Sequence, residues 1–405
     1  MTDHLESAAP DLPSPTDPDA RRLALLHEDR RHYRGAFSPP IYRASTFNQP
    51  SLAQLQSPEA GIPPNFVYGR VNNPTTRVFE EMMASVEHGE DAVAFASGMG
   101  AITACLLTFL QHGDHVLIVE HAYHPAHAFL EALTERMALT VDTFKPGADL
   151  EALMRPNTRL IYVESPTSLH FEMLDLRAIS RVARAHGAIT ITDNTWATPI
   201  YQQPLDLGID ISLHSVTKYI GGHSDIVSGV AITSHALMKQ LRPMAIALGA
   251  TPSAEDMFLA IRGLRTLSVR MAQHMQTGLM VASWLQKQPL VASVQHPGLS
   301  TSPDHALWQS QMSGCSALFG VTLRAAGEGA AEAFAQGLHL FGIAPSWGGY
   351  ESLLVPVSVK AGEPATFRLS IGLEPLEAIL ADLTQALAQY GTFISDSRTP
   401  ISVSL

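Results

Sequence analysis

Cysteine is nearly absent from this 405-residue chain: there are only two, Cys105 and Cys315. They stand far apart, each in an apolar stretch (Ala-Cys-Leu-Leu and Gly-Cys-Ser-Ala) that suits a buried thiol acting as a small hydrophobe. No disulfide framework is implied, which fits a reducing compartment. Charge is also scarce, at 16% of residues against 46% hydrophobic, so the chain can fill a large core and is not globally disordered. Runs of Lys and Arg are missing, and 26 basic residues face 38 acidic ones for a net charge of −12. That balance argues against nucleic acid or an anionic membrane as partner, because both need clustered cations. No stretch of about 18 apolar residues exists to span a bilayer. Met1 to Ala20, acidic and rich in Pro and Ser, lacks the basic start and apolar centre of a secretory leader. These absences predict a soluble, cytoplasmic protein acting on a small molecule.

The organisation changes twice along the chain. Residues 1–64 read as a tail followed by a polar, Pro-punctuated arm ("SPPIYRASTF", then a short helix after Ser51) that lies on another surface. Residues 65–252 alternate helix and strand. "TRVFEEMMASVEHG", "GMGAITACLLTFLQHG", "PAHAFLEALTERMA" and "LDLRAISRVARAHG" read as helices, while "DAVAFA", "DHVLIVE", "TRLIYVES", "AITITDN" and "DISLHSV" read as buried strands. Short β-branched runs between helices ended by Gly predict an α/β fold with a mostly parallel sheet covered on both faces. Residues 253–405 open with a long helical stretch to about Gln288. They continue as "GCSALFGVTLR", a helix near 329–338, "TFRLSIGLE" and a helix from Leu376, a smaller α+β domain.

The informative cluster is "SLHSVTKYIGGHSD". Lys218 follows a buried strand, with Ser215 and Thr217 beside it and Gly221 and Gly222 behind. A lysine can form a Schiff base only when its amine is neutral, which asks for a partly desolvated site near other cations. Hydroxyls on either side can hold a phosphate. "AITITDNTW" delivers Asp193 at a strand's C-terminal end, where ligands sit in open α/β sheets. A carboxylate there can keep a pyridine nitrogen protonated. "FASGMGAI" puts Ser97, Gly98 and Met99 between a strand and a helix start, a cradle of free N–H groups for phosphate. No G-x-G-x-x-G dinucleotide signature is present. Tyr123 ends another strand on the same expected edge and offers an aromatic face. Each feature alone is common as packing or capping; a lysine, an acid, a phosphate turn and an aromatic at strand ends of one chain describe a pyridoxal-phosphate site.

The motifs "YGRVNNPT", "SGMGA", "AYHP", "YVESPTS", "DNTWATP", "HSVTKYIGGHSD", "RGLRTL", "SWGGYESL" and "RLSIGLE" resemble, in order and spacing, the Cys/Met-metabolism pyridoxal-phosphate enzymes, from about residue 35 to about 390. The resemblance implies the aspartate-aminotransferase-like fold and pyridoxal 5'-phosphate as cofactor. It implies that Lys218 binds the cofactor, Asp193 pairs with its ring nitrogen, and Tyr123 stacks on the ring. Gly98, Met99, Ser215 and Thr217 would hold the phosphate. Tyr68 and Arg70 would reach the phosphate of a neighbouring subunit, giving a homo-oligomer, a tetramer built from dimers that share active sites. Arg368 would clamp the substrate α-carboxylate, as a guanidinium does well, with Ser346 and Trp347 nearby.

Within that family the chain looks like the bacterial cystathionine β-lyase branch, which implies β-elimination on a sulfur amino acid. Pro125 stands where methionine γ-lyases generally carry cysteine. Ser168 stands where cystathionine γ-lyases and γ-synthases generally have Asn, and Pro345 where they have Glu. Cysteine or cystine desulfhydration and γ-elimination are the nearby alternatives, and a non-enzymatic pyridoxal-phosphate regulator is the alternative of another class. Tyr123, near cationic Arg and Lys side chains, is also expected to help take the substrate amine proton. Five histidines between His112 and His127 raise a metal site. The three-residue spacing of His121, His124 and His127 across a strand–turn–helix junction does not put them on one face, so no metal is expected.

Overall fold

The computed structural model describes residues 35–57, 61, 65–326, 328–359 and 363–398; the tail expected over residues 1–20 lies outside them. Seven strands form the larger sheet: β1 (Asp91–Phe95), β2 (His115–Val119), β3 (Thr140–Phe144), β4 (Thr158–Glu164), β5 (Ile189–Asp193), β6 (Ile211–Ser215) and β7 (Gly229–Thr233), in the order β1-β7-β6-β5-β4-β2-β3. Strands β3, β2, β4, β5 and β6 run parallel. β7 is antiparallel to both β6 and β1, so β1 points the same way as β6. Side-chain alternation feeds two cores. Val93 and Phe95 of β1 enter one core with the helices Gly98–Phe109 and Leu176–His186. Ala92 and Ala94 enter the other, with Phe79 of the helix Pro74–Val86. This is the sandwich that buried β-branched strands demand.

Local chemistry explains the helix starts. Ser97 caps Gly98–Phe109 by accepting from Gly100 N–H at 3.0 Å, and Asp175 caps Leu176–His186 by accepting from Ala178 N–H. Gly187, at φ +69, closes the latter helix in the left-handed conformation a side chain resists. The five parallel strands and β1 therefore all end on one edge, where Glu164 and Asp193 are the last residues of β4 and β5 and Ser97, Tyr123 and Lys218 follow β1, β2 and β6.

The second sheet has β8 (Val291–Gln295), β9 (Leu318–Ala326), β10 (Gly342–Ile343), β11 (Leu353–Ser358) and β12 (Pro364–Ser370), ordered β10-β11-β12-β9-β8. The 32-residue helix Ala254–Leu285 joins the two parts. Met257, Ile261 and Leu264 pack in the larger sheet's core, while Val281, Ala282 and Leu285 pack against the smaller sheet.

Strands β3, β7, β8 and β10 go beyond the sequence reading. Polar residues break the apolar run in "TVDTF", and "GVAIT" follows directly on a Gly-rich turn. The buried thiols expected at Cys105 and Cys315 are found as such.

Beneath β5 and β6 lies a fully buried carboxylate, Glu87. Its Oε1 accepts from Asn194 Nδ2 at 3.0 Å and from the Ser212 hydroxyl, and stands 3.1 Å from His214 Nε2. Removing it leaves buried donors unpaired. Glu87→Ala is expected to cost about 3–5 kcal/mol, read as a lowered denaturation midpoint of the apoenzyme; an unchanged midpoint contradicts this account.

Candidate active site

Lys218 leaves β6 in a backbone-bonded turn. Its N–H donates to Ser215 O at 3.1 Å, Gly221 N–H to Val216 O at 2.8 Å, and Gly222 N–H to Lys218 O at 2.7 Å. The amine donates to Ser346 Oγ at 3.1 Å and lies 5.7 Å from the Trp347 ring centroid. Ser346 also accepts from Arg368 Nη2, through its carbonyl, at 3.3 Å. One residue of the "SWGG" turn thus ties the amine to the guanidinium, although 128 and 22 residues of sequence separate them from Ser346. Gly348 is required here: a Cβ on it would lie 2.8 Å from Tyr219 N and 3.1 Å from Lys218 C.

Charge follows from burial. Desolvation, with Arg368 adding to it and Asp193 opposing, brings the Lys218 amine down to about 8. Burial raises Asp193 above the usual carboxylate range against the pull of its Thr195 hydrogen bonds, His214 and Lys218. Asp193 Oδ1 accepts from Thr195 N–H at 2.9 Å and from the Thr195 hydroxyl. Thr195 Oγ1 in turn accepts from Ser215 N–H at 2.8 Å, so the acid and the start of the lysine turn are coupled. Both Thr195 bonds engage Oδ1, leaving Oδ2 for a ring N–H.

Glu164, the residue the sequence reading missed, is paired across β4 and β5 with Asp193. Its Oε2 accepts the Tyr123 N–H at 2.8 Å. Burial, then the charge of Asp193, pushes its carboxyl well above the usual carboxylate range, against the pull of the Tyr123 N–H and Arg368. "YVESPTS" contains it, but nothing local marks it, because its role depends on a neighbouring strand. The Tyr123 phenol is also raised, by burial first and then by Asp193 and Glu164, with Arg368 opposing. Of the cations expected to ready it for taking a proton, Arg368 alone pulls the phenol down, and it is outweighed.

The residues expected to cradle a phosphate fall into two groups. Gly98 abuts Ser215, where an added Cβ would lie 3.1 Å from Ser215 Cβ and Oγ, and Gly98 and Met99 occupy the first turn of their helix, where N–H groups lack helical partners. The Thr217 hydroxyl differs. It donates to Ser228 O at 3.2 Å and accepts from Ser228 N–H at 3.0 Å, so its bonds go to β7's approach. Arg70 donates to Ile246 O at 3.0 Å, near the C-terminal end of the helix His235–Leu248, and sits 5.6 Å over the Tyr68 ring. Within one chain, therefore, the pair is bonded away from Lys218. Among the described residues no group of three His, Cys, Asp or Glu side chains is arranged for a metal. His121 instead bonds Glu172 Oε2 at 2.7 Å and stacks on His170 at 3.7 Å, and His127 bonds Val119 O at 3.0 Å. Neither Ser168 nor Pro345 makes a side-chain bond among these contacts.

A depressed lysine, a buried acid with one free oxygen, an exposed aromatic and a glycine-lined helix start suit a pyridine aldehyde phosphate, and define the class as α/β enzymes that carry pyridoxal phosphate on a lysine. The model of the Cys/Met metabolism PLP-dependent enzyme family matches residues 23–388, and the chain belongs to that family. It is 41% identical over 361 residues to a cystathionine beta-lyase of Bordetella avium, covering 86% of this chain and 91% of that protein. It is 38% identical over 377 residues to an L-methionine gamma-lyase of Pseudomonas putida, covering 89% and 94%. The structure of a cystathionine gamma synthase of Xanthomonas oryzae pv. oryzae with cystathionine overlays at a TM-score of 0.85, with 34% identity, over 92% of this chain and 98% of that one. The fold is that of fold type I PLP enzymes and the cofactor is pyridoxal 5'-phosphate. No helix among the described residues is long and apolar enough to cross a membrane.

The lysine's charge is checkable in the apoenzyme. Labelling of Lys218 by an amine-reactive probe should rise with pH around a midpoint near 8, below ordinary lysines at about 10.4. Arg368→Met removes a cation and should move the midpoint up; Asp193→Asn removes an anion and should move it down. Peptide-resolved mass spectrometry reads both, and shifts of opposite sign would refute the assignment of causes.

Proposed function

We propose that this enzyme is a carbon–sulfur lyase that performs β-elimination on cystathionine, giving homocysteine, pyruvate and ammonia. The observation that carries the reading is the Ser346 junction, which holds the Lys218 amine and the Arg368 guanidinium to one residue. A substrate whose α-carboxylate is clamped by Arg368 has its Cα–H within the reach of that amine. Pyridoxal phosphate supplies the electron sink that lets the Cα–H bond ionise. Asp193 would accept the ring N–H and keep that sink protonated, Tyr123 would cover the ring, and Gly98, Met99 and Ser215 would hold the phosphate, while Thr217, whose donors go to Ser228, would brace the turn beside it. The Lys218 amine would take the Cα proton as a general base and return it to the departing thiolate as the Cβ–S bond breaks. Water converts the remaining three-carbon enamine to pyruvate and ammonia, which balances the reaction.

The cystathionine beta-lyase at 41% identity supports β- over γ-elimination, as do Pro125 and Ser168, two of the three positions that differ from the γ-acting branches. The methionine gamma-lyase at 38% favours γ-elimination as the second reading. We extend the proposal to assembly: Tyr68 and Arg70 complete the phosphate site of a second copy in a tetramer built of dimers. The apolar surface on the arm (Phe37 at 75% and Leu52 at 76% exposure) supports a covering partner. The chain's preferred compartment is the cytoplasm.

Incubation with cystathionine should release pyruvate and homocysteine; 2-oxobutyrate and cysteine would replace this reading with γ-elimination. Arg368→Leu should lose the charge-assisted hydrogen bonds to the carboxylate, about 1.5–3 kcal/mol, or roughly 10- to 100-fold in kcat/KM. Unaltered kcat/KM would remove Arg368 from the substrate site.

A further inference from the structure

Arg270, on the helix Ala254–Leu285, is buried at 7% exposure, and among the described residues no carboxylate pairs with it. An unpaired interior guanidinium is costly unless its donors are satisfied. Here backbone satisfies most of them. Nη1 donates to Tyr219 O at 2.6 Å, and Nη2 donates to Gly263 O at 2.7 Å and to Ile220 O at 3.4 Å. Nε donates to Thr266 Oγ1 at 3.1 Å. Two of those carbonyls belong to the residues directly after Lys218. Burial lowers the guanidinium to about 10, which leaves it charged at neutral pH.

The packing around it is built for close approach. Gly222, at φ +72, would place a Cβ 2.1 Å from Arg270 Nη1. A Cβ on Gly263 would lie 2.2 Å from Ile220 O and 2.7 Å from Gly221 O. The lysine turn is therefore pressed between this helix on one side and Gly348 of the "SWGG" turn on the other. Core packing asks only for an apolar residue at 270, yet the position holds a cation whose hydrogen bonds end on the turn that carries the amine.

We infer that Arg270 is a positioning residue for Lys218: its planar fork fixes the carbonyls of Tyr219 and Ile220, and so the direction in which the lysine leaves its turn. A lysine at 270 keeps the charge but lacks the fork, so it cannot span the same acceptors. The inference rests on Lys218 being the cofactor-bearing residue, and the first measurement isolates that premise. Borohydride treatment of wild-type holoenzyme followed by peptide mapping must fix the cofactor on Lys218; fixation elsewhere sinks the premise whatever Arg270 does.

Arg270→Met, Arg270→Lys and Thr266→Ala are then compared as holoenzymes and as apoenzymes. An error of about 1 Å in a reacting group costs on the order of 100-fold. Arg270→Met and Arg270→Lys should therefore lower kcat by about 10- to 100-fold with KM within about 3-fold, and shift the pH midpoint of the cofactor's visible band. In the apoenzymes the Gly221 and Gly222 amides should exchange faster with deuterium, because their turn has lost its outer tie. Thr266→Ala, which removes the Nε acceptor and a hydroxyl bond to Gly263 O at 3.2 Å but leaves the guanidinium and its bonds to Tyr219 and Ile220, should change all three readouts in the same direction by less; it keeps the test decisive if Arg270→Met does not fold. Full recovery of kcat, band midpoint and exchange in Arg270→Lys would make the role one of charge alone and overturn the clamp. Wild-type values in both Arg270→Lys and Thr266→Ala would do the same.

Discussion

The Lys218 amine sits in a low-dielectric pocket with a guanidinium on one side and a carboxylate on another, and its charge at neutral pH follows from the balance of the three. Burial and Arg368 disfavour the ammonium form, while Asp193 favours it. Since burial is the larger influence, the amine is brought close enough to neutral to attack a carbonyl while remaining a usable base. The same exclusion of water raises both Asp193 and Glu164, which are neighbours across a strand pair. Two adjacent acids in a dry site do not both ionise readily. Glu164 is the one that accepts the Tyr123 N–H.

That arrangement explains what was and was not legible in the sequence. Strands β1, β2, β4, β5 and β6 announce themselves as short apolar runs, and the residues that follow four of them (Ser97, Tyr123, Asp193 and Lys218) are the right chemical types for the edge they occupy. Proximity between distant segments is not written in local pattern. Glu164 acquires its role from Asp193 on the next strand, Thr195 from Ser215, and Arg270 from carbonyls about 50 residues upstream. The balance at Tyr123 is likewise set by distant segments: burial, then Asp193 and Glu164, raise the phenol against the pull of Arg368. The short strands β3 and β7 escaped because pairing with neighbours, not their own composition, makes them strands.

The Ser346 turn divides labour in the pocket. Cofactor-facing groups come from strand ends of the larger sheet, while Ser346 and Trp347 come from the loop before β11 and Arg368 from β12. On the proposed function, the second set, Pro345 included, faces the substrate and the first set holds the ring. Relatives that act at the β- and the γ-carbon share this fold at similar identity, as such a division allows.

The helix Ala254–Leu285 is about 48 Å long at 1.5 Å per residue. It contributes side chains to the cores on both sides of the pocket, and between those contributions it grips the lysine turn. The two sheets are thus splinted by one continuous rod, with no loop between them at this point to act as a swivel. Any closure over a substrate has to flex that rod, and flexing it pulls on the peptide groups beside Lys218. Gripping the substrate and aiming the amine become one mechanical event.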